Sequence, residues 1–233
     1  MILSEEQKMV LDMAIDFSAG RLAPGAVEWE KARAIPMEVL HEMGALGLMG
    51  MTVPEEYGGA GTDFVSYALA LMAIARGDGA VSTVMSVNNS PCCAALLKDG
   101  TEEQKQKYLV PLAKGEMIGA FCLTEPHAGS DASALKARAV RDGDHFVING
   151  TKQFITSGRI GGVALVFAVT DPAAGKRGIS CFIAPTDTPG YRVASVEEKL
   201  GQKASDTCQI AFEDMRIPAE NMLGEEGAGY RIA

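Results

Sequence analysis

Apolar residues recur at two different spacings along the 233 residues, and the change falls near residue 115. Before it the spacing is helical. Ser4-Glu5-Glu6-Gln7 reads as a capping box, with Val10, Leu11, Ala14, Ile15 and Phe17 following on one helical face. Pro36, tolerated in a first turn, precedes Val39, Leu40, Met43 and Leu46 in a second helix that Gly44 and Gly47 weaken towards its end. Thr52 to Gly61 interrupts the pattern. Thr62 is the expected cap of a helix through Tyr67, Leu71 and Ile74 to about Arg76. Another apolar helix is predicted from Val81 to about Lys98, ending at Gly100. Pro91 is expected to break or redirect it after the polar stretch that closes at Ser90. Thr101-Glu102-Glu103-Gln104 is a second capping box, opening a short helix.

After Gly115 the period turns towards two. Met117–Leu123 is a predicted strand, and Asp142-Gly143 and Asn149-Gly150 are hairpin signals bracketing the alternating run His145–Ile148. Further strands are expected at Lys152–Thr156, Val163–Thr170, Gly178–Ala184, Tyr191–Ser195 and Cys208–Phe212. Helices followed by short strands mean an α+β chain. We divide it into a helical part over 1–115, a β part over 116–224, and the start of a helix over 225–233.

Composition narrows the function classes. Apolar residues make up 47% and charged ones 22%, enough for a core without staples. The net charge is −9 and no Lys/Arg cluster occurs, which argues against nucleic acid and anionic membrane surfaces as partners. The longest apolar run, Val163–Val169, is far short of the roughly 20 residues that span a bilayer. Glu5 and Glu6 follow Met1 without a basic leader, so a cytoplasmic location is expected. Cys92, Cys93, Cys122, Cys181 and Cys208 are odd in number and lack a C-x-x-C, and His41, His127 and His145 lack ligand spacing; reduced core thiols and no metal centre are expected. Ten of the twelve methionines lie within residues 1–117, as flexible filler among helices or as a thioether-lined wall.

Two stretches could carry chemistry. Thr124-Glu125-Pro126-His127-Ala128-Gly129-Ser130-Asp131 follows an apolar strand and is rich in turn formers and hydroxyls. Pro126 keeps Glu125 extended, and Gly129 permits a close or left-handed backbone path. Such a loop suits a polar heterocycle or a phosphate, and equally a plain surface turn. In Lys152-Gln153-Phe154-Ile155-Thr156-Ser157-Gly158, Phe154 and Thr156 are two apart and share a strand face. They could cover an aromatic ring and bond its edge, or pack as an ordinary cross-strand pair.

The literal residues go further. Ala120-Phe121-Cys122-Leu123-Thr124-Glu125-Pro126-His127-Ala128-Gly129-Ser130-Asp131 resembles the first signature of the acyl-CoA dehydrogenase family. Asn149-Gly150-Thr151-Lys152-Gln153-Phe154-Ile155-Thr156-Ser157-Gly158 is similar to that family's flavin-contacting strand. Leu200-Gly201-Gln202-Lys203-Ala204-Ser205-Asp206-Thr207, Phe212-Glu213-Asp214, Ile217-Pro218 and Asn221-Met222-Leu223-Gly224 resemble its third stretch. Pro54-Glu55-Glu56-Tyr57-Gly58-Gly59 and Met85-Ser86-Val87-Asn88-Asn89-Ser90 match as well, the latter in wording like bacterial short-chain, butyryl-type members. All lie in order across essentially the whole chain.

The resemblance implies an N-terminal helical domain, a β-barrel-like middle domain and a C-terminal helical bundle, the last not among these residues. It implies FAD, oxidation of a short acyl-CoA to the trans-2-enoyl-CoA, reoxidation by electron-transferring flavoprotein, and a homotetramer when complete. Carried over, Phe121, Cys122, Leu123, Thr124, Gly129, Ser130, Phe154, Ile155 and Thr156 would contact the cofactor. Ser130, Met85 and Ser90 would meet substrate. Many relatives have Trp where Phe154 stands. The family's catalytic base is a Glu of the C-terminal part, so no catalytic residue is assigned. Two other readings stay open: a flavin-dependent oxidase or monooxygenase on this fold, separable by oxygen consumption, and an inactive flavin- or CoA-binding fragment. The run Tyr230–Ala233 opens a helix too short to stand alone, so these residues are expected to be part of a longer protein and to bind FAD weakly alone.

Overall fold

The computed structural model describes residues 2–233. Ser4 caps α1 (Glu5–Phe17), accepting from Gln7 N at 3.2 Å while the Gln7 side chain returns a bond to Ser4 N at 3.1 Å. A π-helical turn, Ser18–Leu22, carries α1 onward to α2 (Ala26–Ala32) and α3 (Met37–Ala45). The sequence pattern gave no sign of α2, a short helix of about two turns whose one large buried anchor is Trp29. α4 (Phe64–Gly77) is capped by Asp63, not by Thr62. Asp63 Oδ1 accepts Ser66 N at 2.7 Å, whereas the Thr62 hydroxyl is already committed to the Met51 carbonyl at 2.8 Å.

α5 (Gly79–Val87) and α6 (Ala94–Asp99) are joined through a π-helical turn, Asn88–Cys93, that contains Pro91. Pro91 therefore does not break the helix. A wider turn relieves the clash that a proline ring makes with the preceding turn of an α-helix. Two buried asparagines hold that turn. Asn88 Nδ2 donates to the carbonyls of Met49 (2.9 Å) and Leu112 (3.0 Å), and its Oδ1 accepts Gly119 N at 3.0 Å. Asn89 bonds Leu48 O, Met85 O and Met51 N in the same manner. α7 (Glu102–Gln104) opens with the Thr101 capping box, and α8 (Val110–Ala113) ends the helical half.

Gly44 sits inside α3 at a close approach: a Cβ built there would lie 1.9 Å from the Lys114 carbonyl oxygen. Alanine would gain about 1 kcal/mol of helix propensity. Overpacking against immovable backbone costs about 1–3 kcal/mol. Gly44→Ala is thus expected to be a net loss of up to about 2 kcal/mol, and a rise in urea midpoint would overturn that.

The strands are β1 (Gly119–Cys122), β2 (Arg138–Asp142), β3 (His145–Thr156), β4 (Val163–Val169), β5 (Ile179–Pro185), β6 (Tyr191–Val196), β7 (Thr207–Pro218) and β8 (Met222–Leu223). They form one mixed sheet in the order β6-β7-β3-β2-β4-β5-β8, with β1 parallel to β4. β2 touches β4 in parallel through one pair, Arg138 with Val169. On one side, Phe146, Ile148 and Ile210 of β3 and β7 share a core with Ala164, Val166 and Phe182 of β4 and β5. On the other, Val163, Leu165, Phe167 and Ile183 pack with Leu96, Tyr108 and Leu112 of the helices. Burial on both faces explains why Val163–Val169 is apolar without alternation.

The expected barrel-like closure does not occur. β6 and β8 end the sheet and do not pair with each other. β8 is two residues long, and Gly224 leaves it at φ +69, so it offers no edge to close on. Asn149-Gly150 is likewise no hairpin, because β3 runs straight through it. The Asn149 side chain exchanges two bonds with Asp214 across the sheet, and Gly150, at φ +150, lets Ala137 approach within 2.6 Å of where a Cβ would stand.

Candidate functional site

β1 delivers Phe121, half-buried and tilted on Phe167 with centroids 4.8 Å apart. Cys122 then turns into the core, and the half-buried Leu123 and Thr124 leave the strand. Glu125 and Ala128 exchange backbone bonds at 2.9 and 3.1 Å, closing a tight tip with Pro126 and His127 exposed. Gly129 and Ser130 follow on the surface. Gly129 does not use the left-handed region, and a Cβ there would meet nothing within 4 Å, so neither reason for a glycine applies.

The second segment lies beside the first: Gln153 N donates to Thr124 O at 2.8 Å. Between Lys152 and Ile155 the register of β3 against β7 slips, leaving Gln153 and Phe154 opposite Gln209. At this bulge Phe154 takes φ +58 and remains 62% exposed. Bulky residues avoid that region, and their cost in it is about 1–2 kcal/mol. Ile155 turns inward, and the half-buried Thr156 follows it. Simple alternation from Lys152 would have put Phe154 inside; the bulge puts it outside.

The Gln153–Thr124 bond thus sets the residues that leave β1 beside the bulge that carries Phe154, whereas Phe121 faces Phe167 and the cleft at Ser90, and Ser130 lies at the loop's exposed end. Cys122 and Ile155 are core residues with almost no accessible surface, backbone included, so the structure does not open either to a ligand. Ser90 and Phe121 meet in a cleft of about 280 Å³ with Pro91, Ala94, Lys98 and Asp99. Met85, expected to wall the acyl pocket, does not reach it: it has no exposed surface and belongs to the helical core with Val81 and Leu48. The five thiols are free and buried; burial pushes those of Cys93 and Cys122 up to about 12, which removes them as nucleophiles.

Behind the two segments lies a pair that the sequence reading missed. Lys152 Nζ stands 2.8 Å from Glu125 Oε1 and also donates to Leu123 O at 3.0 Å, with both side chains almost wholly buried. Glu125 accepts Lys136 N at 2.6 Å and Ala137 N at 2.9 Å, and His127 Nε2 approaches it at 3.4 Å. Burial pushes the Glu125 carboxyl up, but the Lys152 charge and these hydrogen bonds outweigh it, and it sits below its ordinary range. Burial holds the Lys152 ammonium below its usual value, with Glu125 opposing. The signal was present in the sequence. Lys152 falls on the inward phase of a strand, where a charge requires a partner.

The chain matches the family model for the acyl-CoA dehydrogenase N-terminal domain over residues 4–116 and that for the middle domain over 120–215. It is 46% identical over 231 residues to the short-chain-specific acyl-CoA dehydrogenase of Clostridium acetobutylicum, covering 99% of this chain and 61% of that one. Butyryl-CoA dehydrogenase from Megasphaera elsdenii superposes with a TM-score of 0.94 at 40% identity, over 100% of this chain and 62% of its own. A chain from a structure of the electron transferring flavoprotein of Acidaminococcus fermentans gives a TM-score of 0.97 at 44% identity, over 100% and 61%. The chain therefore spans about three-fifths of the length of these relatives. With both family models matched in order, this chain belongs to the acyl-CoA dehydrogenase family and comprises its N-terminal and middle domains.

Proposed function

We propose that these residues form the helical and sheet domains of an FAD-dependent enzyme that takes two hydrogens from Cα and Cβ of a short acyl-CoA, giving the trans-2-enoyl-CoA. The observation that carries this reading is the open face of Phe154, Thr156 and Thr124. An aromatic ring held out to solvent at a strained φ, two residues before the half-buried Thr156 and beside Gln153, which is bonded to Thr124, fits a flat heterocycle with polar edges. FAD, when bound, supplies the hydride acceptor. Phe154 and Phe121 would cover its ring, Thr124 and Thr156 would bond its edges, and Ser130 would meet a phosphate of the cofactor or the CoA moiety. The cleft of Ser90 and Phe121 would take the acyl chain and keep water from it.

Neither Glu125 nor Glu213, two glutamates of the matched motifs, suits the role of base. Glu125 is nearest, yet its oxygens are occupied by Lys152 and two amides, and its lowered pKa weakens it for proton abstraction. Glu213 is exposed and paired with Arg192 at 2.5 Å. The base is proposed to belong to the family's C-terminal domain. The short substrate and the electron-transferring flavoprotein acceptor are supported by the names of the Clostridium, Megasphaera and Acidaminococcus relatives.

Titration of the complete enzyme with FAD, followed by visible absorbance, tests the site. Phe154→Gly is expected to weaken FAD binding while raising the stability of the flavin-free protein by up to about 1 kcal/mol, because glycine adopts this φ without strain. Unchanged FAD affinity in that variant would remove Phe154 from the site. Turnover of butyryl-, octanoyl- and palmitoyl-CoA tests the substrate class. A buried CH₂ is worth about 0.8 kcal/mol, so a pocket with spare depth would reward every added carbon. The expected order favours butyryl-CoA, and best turnover with palmitoyl-CoA refutes the short-chain reading.

A further inference from the structure

In the reading above, the loop from Leu123 to Ala137 and strand β3 supply the two halves of the flavin face, with the β2 strand between them in sequence. One side chain from each connects them. Lys152 Nζ reaches Leu123 O and Glu125 Oε1, at the start of the loop. Glu125 in turn accepts from Lys136 N and Ala137 N, at its end. Gln153 N, of the next strand residue, donates to Thr124 O. Start, carboxylate and end of the loop are thereby fixed to two consecutive strand residues. Both charges are buried, and Lys152 together with the Lys136 and Ala137 amides occupies both carboxylate oxygens, which favours this one geometry.

We propose that Lys152 and Glu125 are a positioning pair. They set the register between Phe121–Thr124 and Phe154–Thr156, so that the face is formed before the cofactor arrives. This rests on the flavin reading above. It assigns to the pair a role in presenting other residues, with no contact of its own to the ring. Pre-ordering of this kind lowers the cost of binding, because the loop need not be fixed by the ligand.

The test uses the complete enzyme and its Glu125→Gln/Lys152→Met double variant. The double leaves no uncompensated buried charge, so it is expected to unfold cooperatively, near the midpoint of the unsubstituted protein. It is nonetheless expected to bind FAD at least about tenfold more weakly. The bound flavin's absorption bands should be displaced, and the amides of Lys136, Ala137 and Gln153 should exchange faster. A purely structural pair would not move the flavin spectrum of a variant that folds. Equal affinity with unchanged bands in the folded double overturns the proposal. If the double fails to fold, hydrogen exchange on the unsubstituted protein without FAD decides. Protection of those three amides before FAD is added supports the pair, and protection that comes only with FAD overturns it. Failure of the unsubstituted enzyme to take up FAD would refute the flavin reading itself and this role with it, and that is seen without any variant.

Discussion

Lys152→Met is expected to destabilise the protein by about 3–5 kcal/mol at neutral pH, the range for breaking a buried pair on one side. Methionine fits the stem of the lysine but leaves the Glu125 carboxylate in the core without its cation. The pH dependence separates this cause from lost packing. In the unsubstituted protein Glu125 titrates below its unfolded value, so its contribution is present above that value, about 4.3, and is lost as pH falls. In the variant, burial is no longer outweighed and the folded value rises. A raised carboxyl favours the folded state below the unfolded value and loses that advantage as pH climbs. The gap between the two proteins should therefore be wide at pH 7 and narrow at pH 4. Urea unfolding at both pH values measures it. A loss below about 1 kcal/mol at pH 7 would mean that the carboxylate finds water or His127 instead.

Asn88→Leu is the second large effect. Asn88 is fully buried, and its three bonds hold Met49 O, Leu112 O and Gly119 N. Leucine keeps the branched outline but is larger, so it adds overpacking to the loss of the bonds. Three backbone groups lose their partner at about 1–3 kcal/mol each, less whatever they recover by local movement. The expected loss is about 3 kcal/mol or more, read as a fall in urea midpoint without a change of slope. Asn88→Ala should be milder, because the space it frees can admit a water that serves the same groups. An Asn88→Leu protein within about 1 kcal/mol of the original would show that these bonds are exchangeable with solvent.

The helices with strong caps and apolar stripes were legible in the sequence, as were most strands. What failed was local competition between neighbours. Thr62 and Asp63 are both good caps, and only the Met51 carbonyl decides which is free. Asn149-Gly150 carries the usual hairpin dipeptide, but Asp214 and Ala137, both distant in sequence, use it for a close strand crossing. Pro91 breaks an α-helix and is tolerated in a π-turn, whose supports come from residues about forty positions earlier. At the site, Phe154 and Thr156 were visible as residue types, and the family resemblance named them. The bulge that exposes Phe154 depends on pairing with β7, and the alternation that marks Lys152 as inward does not name its partner, Glu125, which lies 27 residues away.

The two-sided burial of β4 also bears on how the chain folds during synthesis. The helices emerge first, with Leu96, Tyr108 and Leu112 presenting apolar surface that only β4 and β5 will cover. About 50 residues separate Ala113 from Val163, several seconds of translation at roughly 5–20 residues per second. For that interval the helical half is a finished set of helices with an unfinished core. β1, which lies against these helices' turn, also waits, because its strand partner is β4. The nascent chain is therefore most prone to aggregate after the helices form and before residue 185 leaves the ribosome, and a chaperone that binds apolar helix faces would matter most in that window.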